Sequence, residues 1–256
     1  MPDARHETVG VAATDEYPSN SALYADPSVP EGVDYARRFR RHPWLDDDLT
    51  EQFAVQLTTI LAPHGGGIET GTSELCLAIA GYHPSGQGPT PPDGPFHDYW
   101  MFEGLRGTGN SELHVTSTHC DDHVALALAG GSLNAVGLHG CTTTQAELPA
   151  TTPAVLVGGR STALKARLLD RLAATGILTI DADTVPALNG DEPANITNRT
   201  LLGAGAQLEL TTPLRRAMFR INTREDRKNT TRLIFWTFTA AVRSAIADLE
   251  TTQPIP

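Results

Sequence analysis

Apolar and polar positions change period several times along this chain, and each change marks an element. Residues 1 to about 33 are rich in Pro, Ser, Asp and Ala and hold no clear period, which predicts a loosely ordered segment anchored, if anywhere, by Tyr17-Pro18 and Tyr24. From Gln56 to Ala62 a short apolar run predicts a strand that Pro63 ends, and Thr72 to Ala80 predicts a helix with Leu75, Ala78 and Ile79 on one face and Gly81 closing it. The Pro- and Gly-dense stretch 86–95 reads as a surface loop ahead of a strand from Asp98 to Glu103. Leu113 to Thr118 reads as a further strand, and a small helix follows from Asp121 or Asp122 to Ala129, stopped by Gly130-Gly131. Asn134 to Leu138 and Ala154 to Val157 are short apolar strands. Ser161 to Ala174 carries Leu164, Leu168, Leu169 and Leu172 at helical spacing and ends at Gly176, and Ile177 to Ile180 makes the next strand.

Two segments near the C-terminus are the most informative. Ala206 to Thr211 alternates Gln207 and Glu209 against Leu208 and Leu210, so both polar side chains share one face of a strand. Arg224 to Leu249 predicts a long helix burying Leu233, Phe235, Trp236, Phe238, Ala241 and Val242. Short strands alternating with helices, with few hairpin signals, define an α/β chain: an open, mostly parallel sheet with helices on both faces. The 256 residues fit one catalytic-sized domain from 34 to 256 better than two small ones.

Composition narrows the function classes. Hydrophobic residues at 40% and charged residues at 19% are those of a folded globule. Thirty acidic against 19 basic residues give a formal charge of −11, which argues against nucleic acid or an anionic membrane as the main partner. Local charge still decides what a cleft accepts, because fields are screened beyond about 8 Å at physiological salt. Most of the basic residues lie from Arg160 onward. Cys76, Cys120 and Cys141 match no disulfide or cysteine-based zinc pattern. With no signal-peptide pattern and no apolar run near the roughly 20 residues of a membrane span, the expectation is a cytoplasmic, monomeric protein, released on host lysis if the gene is viral.

His64-Gly65-Gly66-Gly67-Ile68-Glu69 carries the chemistry. An imidazole and a carboxylate five residues apart across three glycines, at a strand-to-helix junction, are the ligand types of zinc on a backbone able to aim both at one ion. His139, just after another strand, is the best third ligand, because a mostly parallel sheet brings strand ends to one edge. Three protein ligands leave zinc a position for water, which zinc acidifies to a pKa of about 7. Glu209, on the polar face of its strand, is the candidate general acid/base, with a solvated strand carboxylate as the plain alternative. A rival metal site is His119-Cys120-Asp121-Asp122-His123, whose histidines stand four apart, although His119 precedes the predicted helical turn. Its aspartates can instead orient a ligand imidazole. His114 reads as a packed strand histidine. Asn195, Asn198 and Arg199, with Arg215 and Arg216, form a donor cluster suited to a substrate carboxylate, each arginine having a surface ion pair as its alternative.

Taken together, Ala62-Pro63-His64-Gly65-Gly66-Gly67-Ile68-Glu69, Gly71-Thr72-Ser73-Glu74, Leu113-His114-Val115-Thr116-Ser117-Thr118, Leu138-His139-Gly140, Asn195-Ile196-Thr197-Asn198-Arg199 and Gln207-Leu208-Glu209 resemble the phage poly-γ-glutamate hydrolase family, in order from about Tyr17 to Arg216. The resemblance implies a mixed sheet of the zinc-carboxypeptidase type, zinc held by His64, Glu69 and His139, Glu209 as acid/base, and a polyanionic γ-glutamyl polymer as substrate. An acyl-amino-acid deacylase acting on a small substrate with the same site, and a metal-stabilised, phage-associated interaction protein without turnover, are the alternatives. The chain departs from the family's pattern at residues 119–123 and in the Pro/Gly insert at 84–95.

Overall fold

The computed structural model describes residues 15–42, 57–90 and 95–253. Seven strands, β1 (Tyr35–Arg40), β2 (Thr58–Gly66), β3 (Asp98–Gly104), β4 (Asn134–Cys141), β5 (Ala154–Gly158), β6 (Leu178–Asp181) and β7 (Ala206–Thr211), form one open sheet in the order β1-β3-β2-β4-β7-β5-β6. The central strands β3, β2, β4 and β7 are parallel, β1 runs antiparallel to β3, and the parallel pair β5 and β6 runs antiparallel to β7. The sheet is therefore mixed, with a parallel centre.

Strands buried on both faces read as continuous apolar runs because two helical layers cover them. Ile60, Val136, Leu138 and Leu208 face the layer of α2 (Thr72–Ala80), α4 (Thr162–Ala173), α5 (Thr212–Ala217) and α6 (Leu233–Glu250). Leu61, Trp100 and Ala135 face the opposite layer, where α1 (Asn20–Tyr24) and α3 (His123–Gly130) pack. Burial of Phe235, Phe238 and Val242 on α6 stabilises that layer by about 1.5–3 kcal/mol per side chain relative to exposure. Capping fixes where the helices begin: Asp122 accepts the backbone N–H groups of Val124 and Ala125, and Ser161 accepts that of Leu164. No helix among the described residues is long and apolar enough to cross a membrane.

The structure corrects several boundaries. Residues 15–33, expected to be loosely ordered, pack against the sheet: Leu23 and Val29 are buried, Tyr24 stacks on Tyr35 at 5.3 Å, and the chain continues into β1. Residues 1–14 and Gln56 lie outside the described residues. β2 does not stop at Pro63 but runs on to Gly66, because a register shift between Ala62 and Gly65 accommodates the residue that cannot donate a hydrogen bond. Residues 113–118 form no strand. They run between two 3₁₀ turns, Asn110–Leu113 and Ser117–His119, crossing the mouth of the sheet with Leu113 and Val115 buried beneath. The long C-terminal helix begins at Leu233, since residues 224–232 form a 3₁₀ turn at Arg227–Asn229 and a bridge to Phe219, and Leu233 itself is 82% exposed.

Candidate metal centre

The parallel centre of the sheet sets three side chains at one edge. His64 lies near the carboxyl end of β2, His139 on β4 and Glu209 on β7, with His139 and Glu209 direct neighbours in register. Side chains paired in this way point to the same face, so the sheet delivers an imidazole and a carboxyl group side by side. Glu69 arrives from the turn after β2. That turn depends on Gly66, whose φ of 65° and close approach to the Gly104 carbonyl exclude a Cβ. Beneath the turn the buried Arg227 guanidinium donates to the Gly66 carbonyl at 2.9 Å and to Glu74 at 3.1 Å, and Ser73 Oγ accepts the Gly66 N–H at 2.8 Å.

Four donor atoms converge above it. His64 Nδ1 lies 3.0 Å from Glu69 Oε1 and 3.1 Å from His139 Nδ1, and His139 Nδ1 lies 3.6 Å from Glu69 Oε2. His64 Nε2 donates to the Val115 carbonyl at 2.8 Å, so the proton of the neutral ring sits there and Nδ1 presents a lone pair to the cluster. Glu69 Oε2 is steadied by the Gly140 N–H at 2.8 Å. Nitrogen and carboxylate ligand atoms gathered this closely fit a cation between them. Ligand atoms around a tetrahedral zinc with bonds of about 2.0–2.1 Å stand about 3.3 Å apart, and the observed separations fit that spacing. His114 also brings a nitrogen within 4.8 Å of ligand atoms of His64 and Glu69. His139 Nδ1, 3.1 Å from His64 Nδ1, stands at the spacing of one tetrahedral edge.

Electrostatics separates the two carboxyl groups. Burial opposes ionisation of Glu69, but the imidazoles of His64 and His139 overcome it and hold its carboxyl well below the usual range. Glu209 is pushed up to about 8, by burial first and by the Glu69 carboxylate second. Its Oε1 accepts from Gln207 Nε2 at 2.9 Å, and Gln207 Oε1 in turn accepts from Asn195 Nδ2 at 2.7 Å. Asn195 Oδ1 accepts the Thr197 N–H at 3.0 Å, which fixes the direction of the whole relay. Oε1 of Glu209 is therefore occupied as an acceptor, and any proton on this carboxyl sits on Oε2. These groups line a cavity of about 360 Å³ with His114, Ser117 and the loop at residues 186–192.

Not every residue of the predicted substrate cluster reaches this cavity. Asn195 lines it, its amide committed to the relay. Asn198 braces the loop instead, donating to the Gly190 and Glu192 carbonyls and accepting from the Arg160 and Gly205 N–H groups. Arg215 is buried behind Gly140, where its guanidinium ties Leu210, Thr70 and Thr212 together, and a Cβ at Gly140 would press into it at 2.6 Å. Arg199 and Arg216 are exposed and do not line the cavity. The arginines drawn together in sequence are separated because Arg199 follows the 3₁₀ turn Ile196–Asn198, whereas Arg215 and Arg216 are successive residues of the helix Thr212–Ala217 and so face different ways. The rival site at 119–123 dissolves: His119 and His123 are exposed, Asp121 accepts the Ser21 N–H, and Asp122 caps α3 while accepting the Tyr24 hydroxyl. Cys141 lines the cavity as a buried thiol, pushed up by burial. Gln207 and His114 were not among the predicted site residues. The Gln207/Glu209 alternation was a usable signal for the first, but no local pattern marks the second.

At the ends of parallel strands this α/β chain gathers two imidazoles and a carboxylate beside a second, buried carboxyl group. The family model for poly-gamma-glutamate hydrolase matches residues 48–241, and the chain belongs to that family. It is 31% identical to the UPF0714 protein YndL of Bacillus subtilis (strain 168) over 180 residues and 33% identical to the SPbeta prophage-derived UPF0714 protein YoqZ of the same organism over 187 residues. These matches cover 70% and 73% of this chain but 63% and 61% of the relatives, so the chain spans a little over three-fifths of their length. Among solved structures it is similar to a bacteriophage poly-gamma-glutamate hydrolase, with a TM-score of 0.75 and 29% identity, covering 94% of this chain and 100% of that one. It is likewise similar to zinc-free apo YndL, with a TM-score of 0.73 and 27% identity over 92% and 99% of the two chains.

Proposed function

We propose that this chain is a zinc-dependent hydrolase that cleaves γ-glutamyl amide bonds, with poly-γ-glutamate as the substrate. The observation that carries the reading is the mutual approach of His64 Nδ1, Glu69 and His139 Nδ1 within 3.0–3.6 Å. A relative whose structure is described as zinc-free supports the choice of ion. Zinc in such a place supplies Lewis acidity toward a carbonyl and lowers the pKa of water to about 7.

The protein's own groups do the rest. With a cation at the centre favouring its ionised form, Glu209 takes the proton from the attacking water on Oε2, the oxygen that Gln207 does not hold, and delivers it to the leaving nitrogen as the C–N bond breaks. The relay from Thr197 through Asn195 and Gln207 keeps that oxygen aimed at the cavity. Ser117 Oγ, 3.2 Å from His139 Nε2, steadies the second imidazole. The loop at residues 186–192, braced by Asn198, forms the wall against which the acyl chain rests.

The test pairs metal analysis of the wild type and His64→Ala with viscosity and size measurements on poly-γ-glutamate, and with a γ-glutamyl dipeptide as the small-substrate control. The expected result is about one zinc per wild-type chain, chain shortening of the polymer, and loss of both in the variant. Zinc retained by the variant with unchanged cleavage overturns the ligand set. Turnover of the dipeptide alone replaces the polymer with a small acyl-amino acid.

A further inference from the structure

Asp15 stands well before residue 48, where the family match begins, yet it reaches the cavity wall. Its side chain is only 7% exposed. Oδ1 accepts from His114 Nδ1 at 2.8 Å, and Oδ2 accepts the Thr116 N–H at 2.7 Å and approaches His119 Nδ1 at 3.3 Å. Burial opposes its ionisation, but the Thr116 N–H and His114 more than offset this and hold its carboxyl below the usual value. Asp15 is thus an ionised, acceptor-only group at neutral pH, and the ring nitrogen facing it must carry a hydrogen.

That requirement places a hydrogen on His114 Nδ1. A neutral imidazole with its hydrogen on Nδ1 has a bare lone pair on Nε2. The ring lines the same cavity as Glu209 and His139, and it stacks on His64 with centroids 3.9 Å apart, which fixes its plane. A substrate amide in that cavity presents an N–H, and a lone pair such as that on His114 Nε2 can accept it.

We infer that Asp15 is a positioning residue that locks His114 as the Nδ1–H tautomer, and that His114 Nε2 accepts the N–H of a substrate amide. The segment ahead of the family-matched region then completes the site. The substrate contact rests on the hydrolase reading above, whereas the tautomer does not.

The experiment therefore has two arms. Long-range 1H–15N spectra of the zinc-free protein read the tautomer directly: wild type and Asp15→Asn, which keeps an acceptor oxygen, are expected to show His114 protonated at Nδ1, and Asp15→Ala to move the proton to Nε2. In the zinc-loaded protein, Asp15→Ala and His114→Phe are expected to lower kcat/KM on a γ-glutamyl substrate by roughly 10–100-fold with zinc content unchanged, the scale of a lost orienting partner. Asp15→Asn is expected to recover most of that loss. A wild-type His114 protonated at Nε2, or one unchanged by Asp15→Ala, overturns the positioning role. Equal impairment of Asp15→Asn and Asp15→Ala, with the tautomer intact in the first, overturns the substrate contact. Failure of the wild type to cleave any γ-glutamyl amide strikes the proposed function and leaves the tautomer result standing.

Discussion

Histidine stands beside glutamate at both ends of one sheet, and the two ends put these residues to different uses. At the amino ends of β2, β3 and β4, His97 and Glu250 stand 4.0 Å apart, with Thr58 donating to Glu250 at 2.6 Å and Asn134 exchanging two hydrogen bonds with Gln253. At the carboxyl ends, His64, Glu69 and His139 converge on one point with Glu209 behind them. Polar groups at the first end are matched mostly in pairs, and what they do is hold α6 to the sheet. At the second, acceptors outnumber the donors, and burial with like charge raises one carboxyl while neighbouring imidazoles lower the other. The lesson is that residue type does not make a site. An excess of inward-facing lone pairs does, and it arises where parallel strands end in turns that send extra ligands back over the edge.

The comparison predicts consequences of very unequal size. The largest is metal removal: stripping with a chelator is expected to lower hydrolysis by about 1000-fold or more, the scale of losing a principal electrostatic stabiliser, with recovery on adding zinc. An unaffected rate, measured after elemental analysis confirms removal, makes the carboxyl end as purely structural as the amino end. Glu209→Gln comes next, expected to lower kcat by roughly 100- to 10,000-fold while zinc content and KM hold, because a proton carrier is lost and a ligand is not. Retained kcat would falsify its role. Gln207→Leu leaves both reacting groups in place but frees Glu209 Oε1, so kcat is expected to fall by about 10–100-fold and thermal stability to drop modestly.

The smallest effect belongs to the amino end. His97 is pushed down to about 3, by burial first and then by Arg243 and His42. A folded pKa below the unfolded value means that its contribution to stability is full above about pH 6.5 and declines as pH falls from there toward 3. Between pH 7.5 and 6 that amounts to about 0.8 kcal/mol, read as the difference in urea-unfolding free energy between wild type and His97→Gln. Activity per folded molecule is expected to stay unchanged in the variant. A catalytic defect there would erase the contrast between the two ends.

How much of this was legible beforehand follows the range of the interactions. The helix at Thr72–Ala80 and the strand at Ala206–Thr211 have the bounds that their periods predict, since local alternation alone distinguishes helix from strand there. β1 carries no strand signal because Arg37, Arg38 and Arg40 give an edge strand the composition of a charged loop, and residues 113–118 carry a strand-like alternation because alternating burial also occurs in chain that merely crosses a sheet.

The glycine turn with its histidine and glutamate, and the polar face shared by Gln207 and Glu209, follow from the linear order of residues, because each lies within one turn or one strand. Their convergence with His139, the withdrawal of Arg215 behind Gly140, and the reach of Asp15 to His114 do not. Those depend on which strands lie side by side and on how far a segment travels before it packs, and such long-range closure leaves no period in the chain for a reader to find.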